Sequence, residues 1–271
     1  MVTRSPVINV MVRAADKAAR SLKRDFGEVE NLQVSRKGPA DFVSAADLKA
    51  EQVVHAELSR ARPDYGFLME ESGERPGRGD CDRRWLVDPL DGTSNFLHGL
   101  PHFAVSIGLE ERGEIIAGVI YDPAKNDLFY AEKGIGAYLN DRRIRVSGRR
   151  HLADCLIATG IPFKGKDGHE LFNAELAQMM AHTAGVRRWG AAALDLAYVA
   201  AGRVDGYWER GLSPWDLAAG VIIVREAGGY VSTIDGGPLR LDGGEVLAGN
   251  DLLHGDFVKL LGAAKPAPEE S

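Results

Sequence analysis

Two strand-like segments joined by a two-residue turn constrain the fold of this chain most. Residues 103–110 and 114–121 are rich in apolar residues and are separated around Arg112 and Gly113, a pattern that predicts a β-hairpin. Residues 128–132 predict a third strand directly afterwards. Successive strands joined by tight turns run antiparallel, so at least part of the sheet is expected to be a meander.

The other predicted elements come in blocks around this meander. Residues 35–41 contain Lys, Gly and Pro and are expected to form a loop. The grouping of strands and helices in blocks favours a mixed α/β (α+β) fold of layered sheets and helices over a doubly wound sheet. Helices are predicted over residues 7–26, 45–61, 170–183, 191–201 and 215–227. Further strands are predicted over residues 85–87, 156–159, 230–233 and 245–249.

The length of 271 residues suits one large unit built from two subdomains. We expect a first subdomain over residues 1–140, a second over residues 141–262, and a disordered Ala/Pro/Glu-rich tail over residues 263–271. No apolar run approaches the ~20 residues of a membrane helix, and the first 20 residues lack a signal-peptide pattern. Cys81 and Cys155 have neither metal-ligand nor disulfide spacing. These features predict a cytoplasmic protein without a membrane partner.

The charge of the chain limits its ligands. Its formal net charge is −6, whereas a general nucleic-acid-binding protein usually carries a basic face. No direct nucleic-acid partner is therefore expected. An acidic protein that handles an anionic substrate needs metal ions or focused backbone dipoles to overcome repulsion.

The most informative acidic segment follows the strand predicted over residues 85–87. Asp88 is expected at the end of that strand, because Pro89 cannot continue sheet pairing and the chain should turn there. Asp91 follows three residues later, close enough to share a cation with Asp88. Carboxylates at this spacing predict hard oxygen ligands for a divalent metal ion.

The next residues suggest a phosphate site. Gly92 permits unusual dihedral angles and close approach of a ligand, and Thr93 begins a short predicted helix whose free N–H groups favour an anion. Metal ligands beside a phosphate site are what a metal-assisted phosphatase needs. A strand end followed by an Asx turn with Thr93 as helix cap explains the same residues equally well.

Three further acidic segments also begin or end predicted elements. Glu70 and Glu71 follow a short apolar run, Asp47 lies near a helix start, and Asp216 lies in the first turn of a helix opened by Ser213. Each has a simple structural explanation, namely solvation, the helix dipole or a capping box. Acids that recur at the ends of elements nevertheless favour a shared metal site.

Several motifs together have a recognisable order and spacing. They are Glu70-Glu71-Ser72, residues 85–96, 188–195, 201–209 and 215–220, and Glu226-Ala227-Gly228-Gly229. With these motifs the chain resembles, from about residue 37 to residue 250, the inositol monophosphatase family of lithium-sensitive, Mg²⁺-dependent phosphatases. The resemblance implies a layered α/β/α/β/α sandwich of the inositol monophosphatase/fructose-1,6-bisphosphatase type, usually homodimeric, with Lys37 in a mobile loop. One departure is Ala191, where members often carry Ser or Thr, so a polar sugar contact is missing.

The resemblance implies two to three Mg²⁺ ions per site. Glu70, Asp88 and the backbone carbonyl of Leu90 would hold the first ion, and Asp88, Asp91 and Asp216 the second. Glu70 would share a third, weaker ion with water molecules. These carboxylates would repel a phosphate ester unless cations reversed the local charge.

The resemblance also implies the catalytic and substrate-binding residues. Asp47 and Thr93 would form a hydrogen-bonded pair that activates a water molecule, with Glu70 as a further catalytic carboxylate. The backbone of Gly92 and Thr93 would bind phosphate. The residues implied around the polyol hydroxyl groups are Asp91, Gly190, Ala192 and Glu209.

The predicted activity is hydrolysis of inositol 1-phosphate by in-line attack of water. Histidinol phosphate, fructose 1,6-bisphosphate and 3′-phosphoadenosine 5′-phosphate remain alternative substrates, because metal ions recognise the phosphate and loops recognise the alcohol. Neither cysteine is followed by the Cys-x5-Arg loop of cysteine phosphatases. The basic run over residues 142–150 suggests a different role, a contact with the transcription machinery, although a solvated surface explains it too.

Overall fold

The computed structural model describes residues 4–28, 34–38, 41–163 and 165–265. None of the helices in these ranges is long and apolar enough to cross a membrane. The helices are α1 Pro6–Phe26, α2 Ala45–Ala61, α3 Thr93–Leu97, α4 His169–His182, α5 Ala192–Ala200, α6 Pro214–Glu226 and α7 Asp251–Gly262. The strands are β1 Val34–Gly38, β2 Asp41–Ser44, β3 Gly66–Met69, β4 Gly73–Arg75, β5 Arg83–Asp91, β6 Ala104–Glu111, β7 Glu114–Asp122, β8 Asp127–Glu132, β9 Gly136–Leu139, β10 Arg142–Arg143, β11 Leu156–Thr159, β12 Gly185–Arg187, β13 Gly206–Arg210, β14 Gly229–Ser232 and β15 Glu245–Asn250.

The predicted meander forms the centre of the larger sheet. Its strand order is β10-β9-β8-β7-β6-β5-β3-β4, and neighbours are antiparallel except for the parallel pair β3 and β5. The hairpin between β6 and β7 is confirmed. Arg112 and Gly113 both have positive φ angles, 53° and 79°. A two-residue turn requires such angles if its twist is to match that of the flanking strands.

Helices α1 and α2 cover one face of the larger sheet. Met11, Leu22 and Val54 from the helices pack against Trp85 and Val119 from the sheet, and all five side chains are fully buried. The repeat of apolar residues along α1 at helical spacing produces this buried stripe.

Helices α5 and α6 form the middle layer. They lie between the larger sheet and a second sheet with strand order β12-β11-β13-β15-β14. A Cβ atom on Gly108 or Gly118 would stand 2.6 Å from side chains of α6, so glycine at these positions allows α6 to lie directly on the larger sheet. Leu196 of α5 fills a similar gap against Gly220 of α6.

Helices α4 and α7 cover the outer face of the second sheet. Phe172 and Met179 of α4 and Phe257 of α7 pack with Trp208 and Leu247 of the sheet. The layers therefore alternate as helix, sheet, helix, sheet, helix. This confirms the predicted α/β/α/β/α sandwich.

The pleat of β5 determines which layer its acids face. Trp85 and Val87 pack toward α1 and α2, whereas Leu86 packs toward the middle helices. Side chains alternate along a strand, so Asp88 lies on the same face as Leu86, toward α6.

The predicted strand end at Pro89 is wrong. Strand β5 continues to Asp91, and its register against β6 shifts between the pairs Asp88–Ser106 and Asp91–Ala104. Pro89 lies inside this bulge, where the missing N–H group interrupts no regular ladder bond.

The predicted loop over residues 35–41 is also wrong, because β1 pairs antiparallel with β2. Lys37 lies in β1 rather than in a loop, and its side chain lies outside the described residues. Backbone pairing between the two segments outweighs the turn-like composition of Lys, Gly and Pro.

The predicted subdomain boundary and the predicted disordered tail both concern the organisation of the chain. Asn140 and Asp141, at the predicted boundary between subdomains, form the turn between β9 and β10 with φ angles of 48° and 63°. The division at this point stays a prediction. The disorder predicted for the tail falls mainly on residues 266–271, which lie outside the described residues.

Candidate active site

The bulge in β5 places Asp88 at the centre of a buried acidic cluster. Its side chain is only 2% exposed, and its Oδ1 accepts a hydrogen bond of 2.9 Å from the backbone N–H of Leu90. Glu70 follows the neighbouring strand β3 and is half-buried. Its backbone N–H donates to the carbonyl of Val87 at 3.1 Å, so the parallel pairing of β3 and β5 brings both acids to one edge.

Asp91 connects β5 to the middle helical layer. Its Oδ1 accepts from the backbone N–H of Ala192 at 3.2 Å, and its Oδ2 accepts from that of Ala193 at 2.8 Å. These N–H groups belong to the first turn of α5, where the helix dipole favours a negative charge. Each carboxylate oxygen retains a lone pair for a further ligand.

Asp216 enters the cluster from the N-terminus of α6. The predicted capping box is confirmed, because the backbone N–H of Ser213 donates to Asp216 Oδ2 at 2.7 Å. Capping uses one oxygen of the carboxylate, and Asp216 lines the same cavity as Asp88 and Asp91. The structural and metal-binding explanations of this residue are therefore compatible.

The electrostatics of the cluster oppose its own ionisation. Burial, followed by the charge of Glu70, raises the pKa of Asp88 well above its usual value. Burial likewise raises the pKa of Asp91 to about 7 and that of Asp216 well above its usual value. Among the described residues, no group of three or more Asp, Glu, His or Cys side chains is arranged to hold a metal ion. Divalent cations would compensate the buried charge, so the chemistry of this donor set fits Mg²⁺.

A hydroxyl–carboxylate pair lies beside the acidic cluster. Thr93 Oγ1 is 2.9 Å from Asp47 Oδ1 and also 2.9 Å from the carbonyl oxygen of Leu90, so its single proton has two acceptors. Asp47 is fully buried in the first turn of α2. The structure therefore brings together the two residues that the family resemblance implied as a pair.

Gly92 shapes the turn between β5 and α3. Its φ angle is 89°, and a Cβ atom there would stand 3.0 Å from the carbonyl oxygen of His102. Glycine satisfies both the left-handed conformation and the narrow space. Gly92, Thr93 and Ser94, at the start of α3, consequently line the cavity.

Asn95 connects this turn to Gly190, and sequence reasoning missed its role. Its Nδ2 donates to the carbonyl oxygens of His102 at 2.9 Å and Trp189 at 2.7 Å. The side chain thus holds two segments of the site together although they are 94 residues apart. Its position directly after the phosphate motif was the available signal.

Glu209 also lines the cavity. Tyr207 donates its hydroxyl proton to Glu209 Oε2 at 2.5 Å, and a Cβ atom on Gly160 would stand only 1.8 Å from the Glu209 carboxyl carbon. Burial raises the pKa of Glu209 to about 6. Neither Tyr207 nor Gly160 was predicted, because both act through Glu209 rather than through a motif of their own.

One cavity of about 580 Å³ collects the predicted residues. Asp47 lies behind the cavity wall and contacts it through Thr93. The cavity extends beyond the predicted site to Ile161, Phe163 and Lys166, which sequence reasoning did not single out. It also reaches Arg188, which sequence reasoning identified only as the first residue of a matching motif. The predicted residues that line the cavity are Glu70, Asp88, Leu90, Asp91, Gly92, Thr93, Gly190, Ala192, Glu209 and Asp216.

Comparisons with known proteins agree with this geometry. An inositol-1-monophosphatase from Mesorhizobium japonicum is 60% identical over 256 residues, covering 94% of this chain and 96% of the relative. A Nus factor SuhB from Pseudomonas aeruginosa is 45% identical over 248 residues, covering 90% and 92%. The crystal structure of extragenic suppressor protein suhB from Bartonella henselae matches with a TM-score of 0.93 and 57% identity, covering 96% of this chain and all of that one.

The family assignment rests on the whole chain rather than on a motif. The sequence profile of the inositol monophosphatase family matches residues 3–265. Members of this family are generally Mg²⁺-dependent, as the buried carboxylates would require. The chain therefore belongs to the inositol monophosphatase family of phosphoric monoester hydrolases.

Proposed function

We propose that this protein hydrolyses inositol 1-phosphate to inositol and phosphate in a Mg²⁺-dependent reaction. The observation that supports this most directly is the 2.9 Å contact between Thr93 Oγ1 and Asp47 Oδ1 beside the buried acids. A positioned proton acceptor next to hard oxygen ligands suits direct attack of water on a phosphate ester. The choice of inositol 1-phosphate rests on the 60% identical Mesorhizobium japonicum inositol-1-monophosphatase.

Two to three Mg²⁺ ions fit the available donors. Glu70, Asp88 and the carbonyl of Leu90 would hold one ion, Asp88, Asp91 and Asp216 a second, and Glu70 a third. All four acidic side chains line the cavity, and the charges of Glu70, Asp91 and Asp216 act on Asp88. Bound Mg²⁺ would lower the pKa of water and neutralise negative charge on the phosphate and the leaving oxygen.

The side chains of the protein would handle the proton of the attacking water. Thr93 Oγ1 would accept that proton while passing its own proton to Asp47 Oδ1. Glu70 is proposed to orient water from the opposite side of the cluster. The carbonyl of Leu90 competes for the Thr93 proton in the resting arrangement, so transfer requires only a rotation of the hydroxyl group.

The substrate would span the cavity from the acidic cluster to Glu209. The backbone N–H groups of Gly92 and Thr93 would bind the phosphate at the start of α3. Tyr207 uses one oxygen of Glu209, which leaves the other for a hydroxyl group of the alcohol. The residues proposed around the polyol are Asp91, Gly190, Ala192 and Glu209.

Lys37 is proposed to close over the metal ions. It lies in β1, which pairs with β2 directly before α2. Proteolysis rates at residues 34–44 with and without Mg²⁺ and phosphate would test this role. Protection by the ligands supports closure, and equal cleavage rates contradict it.

The activity is tested by measuring phosphate release with and without Mg²⁺. Four esters are compared: inositol 1-phosphate, histidinol phosphate, fructose 1,6-bisphosphate and 3′-phosphoadenosine 5′-phosphate. Inositol 1-phosphate should be cleaved fastest. A faster alternative ester would retain the mechanism and change the substrate. No Mg²⁺-dependent release by folded protein would refute the proposal. Lithium is expected to inhibit release.

A second proposed role is contact with the transcription machinery. The relative from Pseudomonas aeruginosa is named Nus factor SuhB, and Arg142 and Arg150 are exposed cations without an ion pair among the described residues. Arg149 is instead paired with Asp205 at 3.0 Å. Affinity capture by wild type and by the Arg142→Glu/Arg150→Glu variant tests this role. Loss of RNA polymerase factors in the variant supports it, and unchanged or absent capture contradicts it.

We also propose a cytoplasmic homodimer. The molar mass of the purified protein in solution, measured by sedimentation, distinguishes a dimer from the 29.3 kDa chain. Fractionation of the source cells tests the location. A monomer, or recovery outside the cytoplasm, would contradict the respective proposal.

A further inference from the structure

A buried glutamate of α2 reaches the turn that carries Glu70, although it does not line the cavity. This residue, Glu51, is 5% exposed, and its Oε2 accepts a hydrogen bond of 2.8 Å from the backbone N–H of Glu71. Residues 70–72 form the turn between β3 and β4, so the bond joins segments that are 20 residues apart along the chain. The proposed reaction assigns no part to Glu51.

Two successive N–H groups hold this turn from two sides. The N–H of Glu70 donates at 3.1 Å to the β5 carbonyl directly before Asp88, and the N–H of Glu71 donates to Glu51 in α2. Asp47 precedes Glu51 by four residues in α2, so both side chains lie on the same face of the helix. The backbone of Glu70 is therefore held between the strand that carries Asp88 and the helix that carries Asp47.

The two hydrogen bonds together determine how far Glu70 lies from the proposed proton acceptor. Asp47 accepts from Thr93 Oγ1 at 2.9 Å, so α2 is already tied to the turn after β5. The bond from Glu51 ties the same helix to the turn after β3. Hydrogen bonds around a metal ligand orient that ligand and tune its affinity for the metal.

We propose that Glu51 is a positioning residue, which holds Glu70 in place relative to Asp47 and thereby sets the affinity of the site for divalent metal ions. The inference rests on the proposed role of Glu70 as a metal ligand. Loss of a group that supports a metal ligand typically lowers metal affinity or activity by about 10- to 100-fold. Removal of the acceptor at position 51 should cause a loss in this range.

A simpler explanation is that Glu51 only stabilises the fold. A backbone N–H group that loses its buried acceptor lowers the free energy of unfolding wherever it lies. That effect would lower the melting temperature and leave the metal affinity of the folded protein unchanged. A positioning role changes the metal affinity under conditions in which every variant is fully folded.

The variants Glu51→Gln and Glu51→Met separate these explanations. Both side chains are uncharged and similar in length to glutamate, but only glutamine keeps an oxygen that can accept from the N–H of Glu71. The probe is Mn²⁺, which oxygen ligands also suit. It is titrated into substrate-free protein, and the free ion is measured by electron paramagnetic resonance. Glu51→Met should weaken Mn²⁺ binding about tenfold or more, whereas Glu51→Gln should bind nearly as tightly as wild type.

Glu51→Asp keeps the test decisive if Glu51→Met does not fold. Aspartate retains the charge but withdraws the carboxylate by one methylene group, away from the N–H of Glu71. It should therefore bind Mn²⁺ less tightly than Glu51→Gln. The Mg²⁺ concentration that gives half-maximal phosphate release should rise in the same order among the variants.

Glu57→Met is the matched control. Glu57 lies in the same helix and is 6% exposed, but its carboxylate pairs with Lys17 at 2.6 Å and with Arg60 at 2.7 Å. The substitution removes a buried glutamate whose partners lie outside the cavity. It should leave Mn²⁺ binding unchanged.

Four results would overturn the positioning role. The first two are a wild-type Mn²⁺ affinity in folded Glu51→Met and equal losses in Glu51→Met and Glu57→Met. The other two are equal losses in Glu51→Gln and Glu51→Met, and tighter binding by Glu51→Asp than by Glu51→Gln. Mg²⁺-dependent phosphate release by wild type would leave the proposed function intact in each case. Absence of both metal binding and phosphate release in folded wild type would refute the proposed function and the positioning role together.

Discussion

The contact between Gly160 and Glu209 gives a sharp test of the substrate site. In Gly160→Ala, the new Cβ atom would stand 1.8 Å from the Glu209 carboxyl carbon and 1.9 and 2.0 Å from its oxygens. Because real Cβ atoms essentially never approach another heavy atom within 3.0 Å, the carboxylate must move by about 1 Å. The 2.5 Å hydrogen bond from Tyr207 would then be lost or distorted.

The expected cost follows from this displacement. A shift of about 1 Å in a group that positions substrate can reduce the rate by about 10²-fold, equivalent to about 2.7 kcal/mol of transition-state stabilisation. We expect this loss in kcat/KM for inositol 1-phosphate, whose alcohol should contact Glu209. Hydrolysis of p-nitrophenyl phosphate, which has no polyol hydroxyl groups, should fall far less.

The assay compares both substrates in wild type, Gly160→Ala and Gly255→Ala. Gly255 lies in α7, and a Cβ atom there would have no neighbour within 4 Å, so this variant controls for a general Gly-to-Ala effect. Equal losses for both substrates would show that the substitution disturbs the metal or phosphate site instead. An unchanged kcat/KM for inositol 1-phosphate would refute the assignment of Glu209 to the alcohol.

Three other predictions concern the acidic cluster and its proton acceptor. Asp88→Asn should abolish Mg²⁺-dependent phosphate release without changing the circular dichroism spectrum, because the first two proposed ions share this carboxylate; wild-type turnover would exclude that role. Thr93→Ala should lower kcat more than it raises KM, since proton transfer acts in the transition state, and a pure KM effect in steady-state kinetics would contradict it. In metal-free protein, the free energy of unfolding should decrease as pH rises from about 4 to 8, because the folded-state pKa of Asp91 is raised from 3.8 to about 7 and that of Asp216 is raised too. Denaturant titrations across this range with chelator present measure the decrease, which Mg²⁺ should suppress, and a flat profile in chelator would contradict it.

The sequence predicted correctly those elements whose start and end are marked by nearby residues. Helix α2 begins and ends where the sequence predicted, at Ala45 and Ala61, because Pro63 prevents further extension. Helix α6 begins at Pro214 with the expected capping box. The hairpin at Arg112 and Gly113 likewise depends only on neighbouring residues.

Elements that depend on distant partners were missed or misread. Helix α7 was not predicted, although the side chain of Asn250 caps it by accepting from the backbone N–H of Leu253. Strand β1 was mistaken for a loop because its pairing with β2 is not visible in its composition. Pairing and packing across the chain override local preference in such segments.

The same distinction applies to the candidate site. The acids Asp88, Asp91 and Asp216 were identified because each ends or begins an element with a recognisable motif. Tyr207 and Asn95 were missed because their partners, Glu209 on the cavity wall and the carbonyl of Trp189, become relevant only in the folded chain. Sequence therefore identifies groups that act directly more readily than groups that hold others in place.

The middle helical layer explains why the acids converge although they repel one another. Asp91 accepts hydrogen bonds from two N–H groups at the start of α5, and Asp216 caps the start of α6. Both carboxylates therefore lie at helix N-termini, which favour negative charge. These contacts also connect β5 of the larger sheet to helices that pack on the second sheet. Asp88 accepts one backbone hydrogen bond and is opposed by the charges of its acidic neighbours, so a cation there would stabilise the junction between the two sheets as well as the reaction. The cost of burying the acids is thus partly offset by the fold, and a bound cation would offset more of it.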